Sequence, residues 1–174
     1  MPARGTAPAA GPRRRAEPLG YSVFMFEVLV YLYENYWRPD ACPDPKQLSR
    51  KLSAVGFEAD EIHDALRWLD GLASSAESCS GSSGAGSIRV YADHEREQLG
   101  DESIGFICFL ESAGVLPPPM REMVLDRATA IPGGPVDLED LKIIVLMVFW
   151  SLGEEPDALI LDELFVEEAD RLIH

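Results

Sequence analysis

The stretch LKIIVLMVFW at residues 141–150 decides the fold, because a helix of this composition is apolar on every side. Asp137 precedes it as a helix N-cap, and Asp140 follows three residues later in a partial capping box. The unbroken apolar run at 143–150 is much shorter than the roughly 20 residues of a membrane-spanning helix. We therefore predict a buried central helix around which the rest of the chain packs.

Apolar residues recur at helical spacing on both sides of this central helix. Only the short stretch IRVY, which runs from Ile88 to Tyr91, favours an extended segment. The pattern predicts an all-α fold, a compact bundle of about six to eight helices. The other predicted helices cover about residues 22–37, 45–55, 58–73, 93–99, 102–113, 120–130 and 157–172.

Composition divides the chain into two helical halves. Residues 1–24 are rich in Pro, Ala, Gly and Arg and lack the apolar region of a secretory signal, so they are interpreted as a disordered tail or as sequence upstream of the true start. A Ser/Gly linker at 74–87 separates an N-terminal half at 25–73 from a C-terminal half at 88–174. A half-sized bundle could hardly bury the central helix alone, so we expect the two halves to share one core.

The charge of the chain disfavours nucleic acid and anionic membrane as partners. Acidic residues outnumber basic ones 30 to 15, and the formal net charge is −15. Nucleic acid and anionic lipids attract proteins mainly through Lys and Arg, so a chain with this negative charge fits a basic protein partner better. Acidic residues also increase solubility, which is the other interpretation of the charge. The cysteines Cys42, Cys79 and Cys108 form no CxxC pair, which favours free thiols and a cytoplasmic location.

The predicted helices at 45–55 and 58–73 resemble a helix-turn-helix motif, and the extended segment at 88–91 could then form its wing. A DNA-reading second helix normally carries bases. Here it carries Arg67 as its only Lys or Arg, among the acids Glu58, Asp60, Glu61, Asp64 and Asp70.

Six segments, in order along the chain, resemble the Smg family of small bacterial proteins. They are MFEVLVYLYENY at 25–36, GFEADEIHDALRWLDGL at 56–72, IRVYADHEREQL at 88–99, GFICFLE at 105–111, REMVLDRATAI at 121–131 and VDLEDLKIIVLMVFW at 136–150. The resemblance implies no catalytic residues, and its link to DNA processing rests only on the neighbourhood of family genes. The Ser/Gly linker and SLGEEPD at 151–157 depart from the family pattern.

Residue types that carry chemistry are scattered in the sequence. Cys42, His63, Cys79, His94 and Cys108 have no short paired spacing, so neither a metal site nor a cofactor is predicted. Cys108 is predicted to lie in the core, because it falls within an apolar helix.

Six residues are candidates for an interaction surface. Tyr36, Trp37 and Trp68 could form an aromatic contact surface, although each also fits the core or its rim. Arg121, Glu122 and Asp126 lie off the apolar stripe of their helix and could form an exposed charged patch.

Arg127 falls inside that apolar stripe, so its guanidinium is a candidate buried charge. It could form a structural ion pair, extend its charged end to solvent, or anchor an anionic ligand.

The sequence therefore favours a non-enzymatic cytoplasmic adaptor or regulator that binds another protein. The alternative is a nucleic-acid-associated, helix-turn-helix-like protein linked to DNA processing, which predicts a clustered basic surface. An enzyme would require a polar pocket with perturbed carboxylates.

Overall fold

A computed structural model describes residues 24–78, 88–158, 160 and 162. Within these residues the chain forms helices and no strand, which confirms the all-α class. The helices are α1 Met25–Asn35, α2 Pro45–Val55, α3 Ala59–Ser78, α4 Asp93–Ser112, α5 Pro118–Thr129 and α6 Leu138–Leu152, with a 3-10 turn at Pro39–Ala41. None of the helices in the described ranges is long and apolar enough to cross a membrane.

The centre of the fold is α6. Its side chains from Ile144 to Trp150 are all buried, and α6 packs against α1, α3, α4 and α5. Buried residues of both halves of the chain, from Met25 in α1 to Trp150 in α6, form one continuous hydrophobic cluster. The apolar stretch that decides the fold is therefore the shared core element.

Helix ends follow the capping residues of the sequence. The Asp44 carboxylate accepts hydrogen bonds from the backbone N–H groups of Lys46 and Gln47, at 3.0 and 3.1 Å. The Asp137 carboxylate accepts from the N–H of Asp140 at 2.9 Å. Each bond satisfies a donor that the first turn of a helix leaves without an intrahelical partner.

Helix α4 is broken at Gly100, whose φ of 72° and ψ of 167° are not helical. This break agrees with the two predicted helices at 93–99 and 102–113. The predicted cap at Asp93 is wrong, because Ala92 is the N-cap. The carboxylate of Glu95 accepts the Ala92 backbone N–H at 2.8 Å and so makes an Asp93 cap unnecessary.

The predicted linker begins too early. Helix α3 continues to Ser78, because Ala76 still packs against the core. The hydroxyls of Ser74 and Ser78 donate to backbone carbonyls one turn back. The single hydroxyl proton of Ser75 is shared between the Gly71 carbonyl and the carboxylate of Asp126 on α5, and the contact with Asp126 anchors this last part of α3. Residues 79–87 of the predicted linker, residues 1–23 of the predicted tail and most of the predicted helix at 157–172 lie outside the described residues.

The predicted extended segment at 88–91 has no strand partner within the described ranges. Its side chains nevertheless alternate: Ile88 and Val90 are exposed, whereas Arg89 and Tyr91 are partly buried. The two inward side chains fix this segment against α4 and α5 rather than against a sheet.

The carboxyl group of Asp140, in the first turn of α6, makes the stability of the fold depend on pH. Burial, together with the negative charges of Asp137 and Glu139, raises the pKa of Asp140 from 3.8 to about 7. Between those values the folded state binds more protons than the unfolded state, so this group makes stability fall as pH rises.

We expect Asp140→Asn to remove this loss, because asparagine does not ionise. The gain in free energy of unfolding should be near zero at about pH 4 and about 1 kcal/mol at about pH 8, after partial exposure of the carboxylate is allowed for. Urea unfolding at both pH values measures this gain in the free energy of unfolding. Asp70→Asn, at an exposed position on α3, is the control. A gain that does not grow with pH would contradict this assignment.

Candidate functional site

The C-terminal ends of α1 and α6 meet on one side of the molecule. Helix α1 stops at Asn35, and Tyr36 is extended with a φ of −130°. The Tyr36 carbonyl accepts a hydrogen bond from the indole N–H of Trp150 at 2.6 Å. This bond holds together two helix ends that are 114 residues apart in the sequence.

A groove of about 400 Å³ opens at these two helix ends. We call it the end groove. Its lining residues are Tyr33, Glu34, Asn35, Trp37, Trp150, Glu154 and Glu155. It combines three aromatic side chains with three carboxylates, and no Lys or Arg is among the lining residues.

Trp37 is the most exposed aromatic side chain of the end groove, with 69% of its surface accessible. Burial of an indole removes a large apolar surface from water, and tryptophan is enriched at binding hot spots. The guanidinium carbon of Arg38 lies 4.4 Å from the Trp37 ring centroid. The side chain of Arg38 then passes beside Gly153, the residue that ends α6.

The electrostatics of the end groove favour a cation. Burial raises the pKa of the Tyr33 phenol above its ordinary value, and the negative charge of Glu155 raises it further. The second cause places a negative charge beside this ring of the groove.

Of the predicted interaction residues only Trp37 lines the groove, whereas the half-buried side chain of Tyr36 packs against the core and contributes its backbone carbonyl. The sequence did not indicate the other groove residues. Only the packing of α6 against α1 brings Trp150, Glu154 and Glu155 to Trp37.

Trp68 does not belong to this surface: of its two predicted roles, an interaction residue or a core residue, the structure shows the core role. Its side chain is 1% exposed, and its indole N–H donates to the Arg127 carbonyl at 3.3 Å. Helix α3 packs against α1, α2, α5 and α6. The buried arc of α3 is therefore wider than its apolar stripe, and it includes the edge position of Trp68.

The predicted exposed charged patch is also wrong, because Arg121 is only 7% exposed. Its guanidinium donates to Glu122 at 2.8 and 3.0 Å and also pairs with Glu111 of α4. Arg89 donates to both Glu95 and Glu122, at distances from 2.6 to 3.2 Å. These five residues form one network, the arm network, which covers the side of α5 that sequence periodicity assigned to solvent.

Asp126, the third residue of that predicted patch, is exposed and contacts Arg127. Arg127 donates to the Asp126 carboxylate at 2.8 and 3.0 Å and to the Trp68 carbonyl at 3.5 Å. Its guanidinium covers Gly71, where a Cβ atom would collide with it. Partners within the chain thus hold this partly buried charge.

Cys108 is exposed, so its predicted place in the core is wrong. Helix α4 turns Leu99, Ser103, Ile107 and Leu110 inward, which leaves Cys108 on another face. No group of three His, Cys, Asp or Glu side chains in the described part of the chain is arranged to hold a metal ion.

The fold and the groove together define the class: an acidic helical protein with one shared core and a carboxylate-lined aromatic groove. Residues 25–174 match the family described as protein of unknown function DUF494. The chain belongs to this family, whose members include proteins named Smg homolog.

Three relatives illustrate the match. The Smg homolog of Methylibium petroleiphilum is 75% identical over 150 residues, which is 86% of this chain and 100% of the relative. The Leptothrix cholodnii homolog is 74% identical over 150 residues, with the same coverage. The Bordetella pertussis homolog is 54% identical over 152 residues, again 86% of this chain and 100% of the relative. No solved structure matches the chain.

Proposed function

We propose that this protein is a non-enzymatic cytoplasmic adaptor or regulator that binds another protein through the end groove. The exposure of Trp37 at the rim of the groove carries the proposal. Tryptophan is the residue type most enriched at binding hot spots, and it reaches full effect when a partner excludes water from it. The groove is lined by glutamate, asparagine, tyrosine and tryptophan side chains, a charged and aromatic set that suits contact with a protein partner.

The charge distribution of the helix-turn-helix-like pair argues against the nucleic-acid alternative. The exposed bases Lys46, Arg50 and Lys51 lie on α2, the first helix of the pair. Helix α3, which would enter the groove of DNA, exposes Arg67 and also the carboxylate of Asp70. Base readout normally uses several donors on the second helix, and Arg67 is the only Lys or Arg on α3, so the pair is poorly suited to recognition.

We expect Trp37→Ala to release a protein partner that the unchanged chain retains. The full chain, carrying an affinity tag, is isolated from its own bacterial cytosol with and without nuclease, and retained proteins are quantified by mass spectrometry. Loss of a hot-spot tryptophan should lower retention of the specific partner at least about tenfold. Phe109→Ala on α4 removes another exposed aromatic side chain and is the matched control.

Two outcomes would count against the proposal. Equal retention of every protein by the Trp37 and Phe109 variants would remove the end groove from partner binding. Retention that disappears with nuclease would favour the nucleic-acid alternative over a protein partner.

A further inference from the structure

We infer that the end groove binds an arginine side chain that an exposed segment of the partner protein presents. The inference rests on the proposed function and adds the chemistry that the partner must supply. Three separate features of the groove favour a planar cation over an acidic or neutral side chain: its carboxylates, the helix ends that border it and its aromatic rings.

The carboxylates come from both sides of the groove. Glu34 lies in the last turn of α1, and Glu154 and Glu155 directly follow α6. Arg38 is close but is not part of the lining, so at least two negative charges remain when it is counted. Carboxylates converging on one cleft raise the local concentration of cations and repel acidic segments.

The two helix ends add a fixed negative potential. A helix C-terminus carries about half a negative charge on carbonyls that lack intrahelical partners. Neither α1 nor α6 has a basic residue in its own last turn, and the Arg38 cation beside Gly153 offsets only part of the charge of α6. Because Tyr36 and Trp150 hold both ends at the same groove, their potentials act together on one ligand.

The aromatic rings supply flat, electron-rich faces. Trp37, Tyr33 and Trp150 all line the groove, and because Trp150 is buried, the ring most open to a cation is that of Trp37. Tryptophan is the strongest cation–π partner among the side chains. The chain already provides an example of this contact, since the Arg38 guanidinium stacks 4.4 Å from the Trp37 ring centroid. A second guanidinium on the groove side would use the same ring with the carboxylates as hydrogen-bond acceptors.

Arginine fits these features better than lysine. Its guanidinium is planar, stacks on aromatic rings, sheds water more easily than an ammonium group and donates two parallel hydrogen bonds to a carboxylate. A groove of about 400 Å³ accommodates one such side chain with part of its backbone.

The test uses the indole N–H signals of the full chain labelled with ¹⁵N. The probes are the capped peptides acetyl-Gly-Arg-Gly-amide and acetyl-Gly-citrulline-Gly-amide, which have nearly the same shape and differ in charge. We expect the arginine peptide to shift the Trp37 and Trp150 signals with an apparent Kd on the order of 1 mM, at least about tenfold tighter than the citrulline peptide. The buried Trp68 provides an internal reference that should stay in place.

Two matched variants test whether the carboxylates of the end groove bind the arginine peptide. Glu155→Gln should weaken binding of the arginine peptide at least about threefold, whereas Glu97→Gln on the exposed surface of α4 should leave it unchanged. Equal binding of the arginine and citrulline peptides, shifts of Trp68 as large as those of Trp37, or no shift at all would each overturn the inference. Partner capture with the Trp37 variant tests the proposed function separately, so failure of one experiment is distinguishable from failure of the other.

Discussion

Trp68→Ala is expected to lower the free energy of unfolding by about 3–5 kcal/mol, the cost typical of a large aromatic side chain removed from a core. Trp68 is 1% exposed on α3, a helix that packs against α1, α2, α5 and α6. The substitution leaves a cavity between several helices and removes the hydrogen bond from the indole to the Arg127 carbonyl. Urea unfolding followed by circular dichroism measures the loss.

Trp37→Ala is the matched control, because it is the same chemical change at a side chain that is 69% exposed. It should alter the free energy of unfolding by no more than about 0.5 kcal/mol, as is usual for surface substitutions. Similar losses for the two variants would contradict the burial that separates these tryptophans. The same pair also separates roles: Trp37 is proposed to act in binding, whereas Trp68 acts in the core.

Features that depend on neighbouring residues could be predicted from the sequence. The caps at Asp44 and Asp137 involve residues two or three positions away, and Gly56 ends α2 with a φ of 121°. The core role of α6 follows from an apolar composition that no single face could satisfy. These predictions needed no knowledge of which helices meet.

Features that depend on helix packing could not be predicted in this way. A helical wheel gives the apolar stripe of α5, but it does not say that α4 and residue Arg89 cover the opposite side. Arg121 was therefore assigned to solvent, although it is among the most buried charged side chains in the described residues. The end of α3 was misjudged similarly, because Ser75 is anchored by Asp126 on another helix.

Only part of the end groove could be predicted from the sequence. Tyr36 and Trp37 stood out as aromatic residues at the end of a helix. Trp150 could only be assigned to the core, and Glu154 and Glu155 belonged to an acidic turn without an assigned neighbour. A groove made from two helix ends 114 residues apart can be recognised only in the tertiary fold, because the sequence does not show that these ends meet.

Arg121→Met is expected to lower the free energy of unfolding by about 2–3 kcal/mol. Methionine fills a similar space without a charge, so the main cost is the loss of a cation from between Glu111 and Glu122. Without the Arg121 cation, the carboxylates of Glu111 and Glu122 are partly desolvated and lack one of their hydrogen-bond donors. Both carboxylates are partly exposed to solvent, and this exposure limits the cost in stability. Arg127→Met, whose carboxylate partner Asp126 is exposed, should cost about 1 kcal/mol or less.

The pH dependence of this loss distinguishes the ion network from simple packing. Burial alone would raise the pKa of Glu122, but hydrogen bonds from Arg89 and Arg121 lower it below its ordinary value of 4.5. A carboxylate with a lowered pKa stabilises the fold above its unfolded pKa, and this stabilisation disappears as pH falls through the folded pKa. The gap between the unchanged protein and Arg121→Met should therefore be widest near pH 7 and narrow below about pH 4. A gap that stays constant across this range would assign the loss to packing of the side chain, and the arm network would then have no electrostatic part in stability.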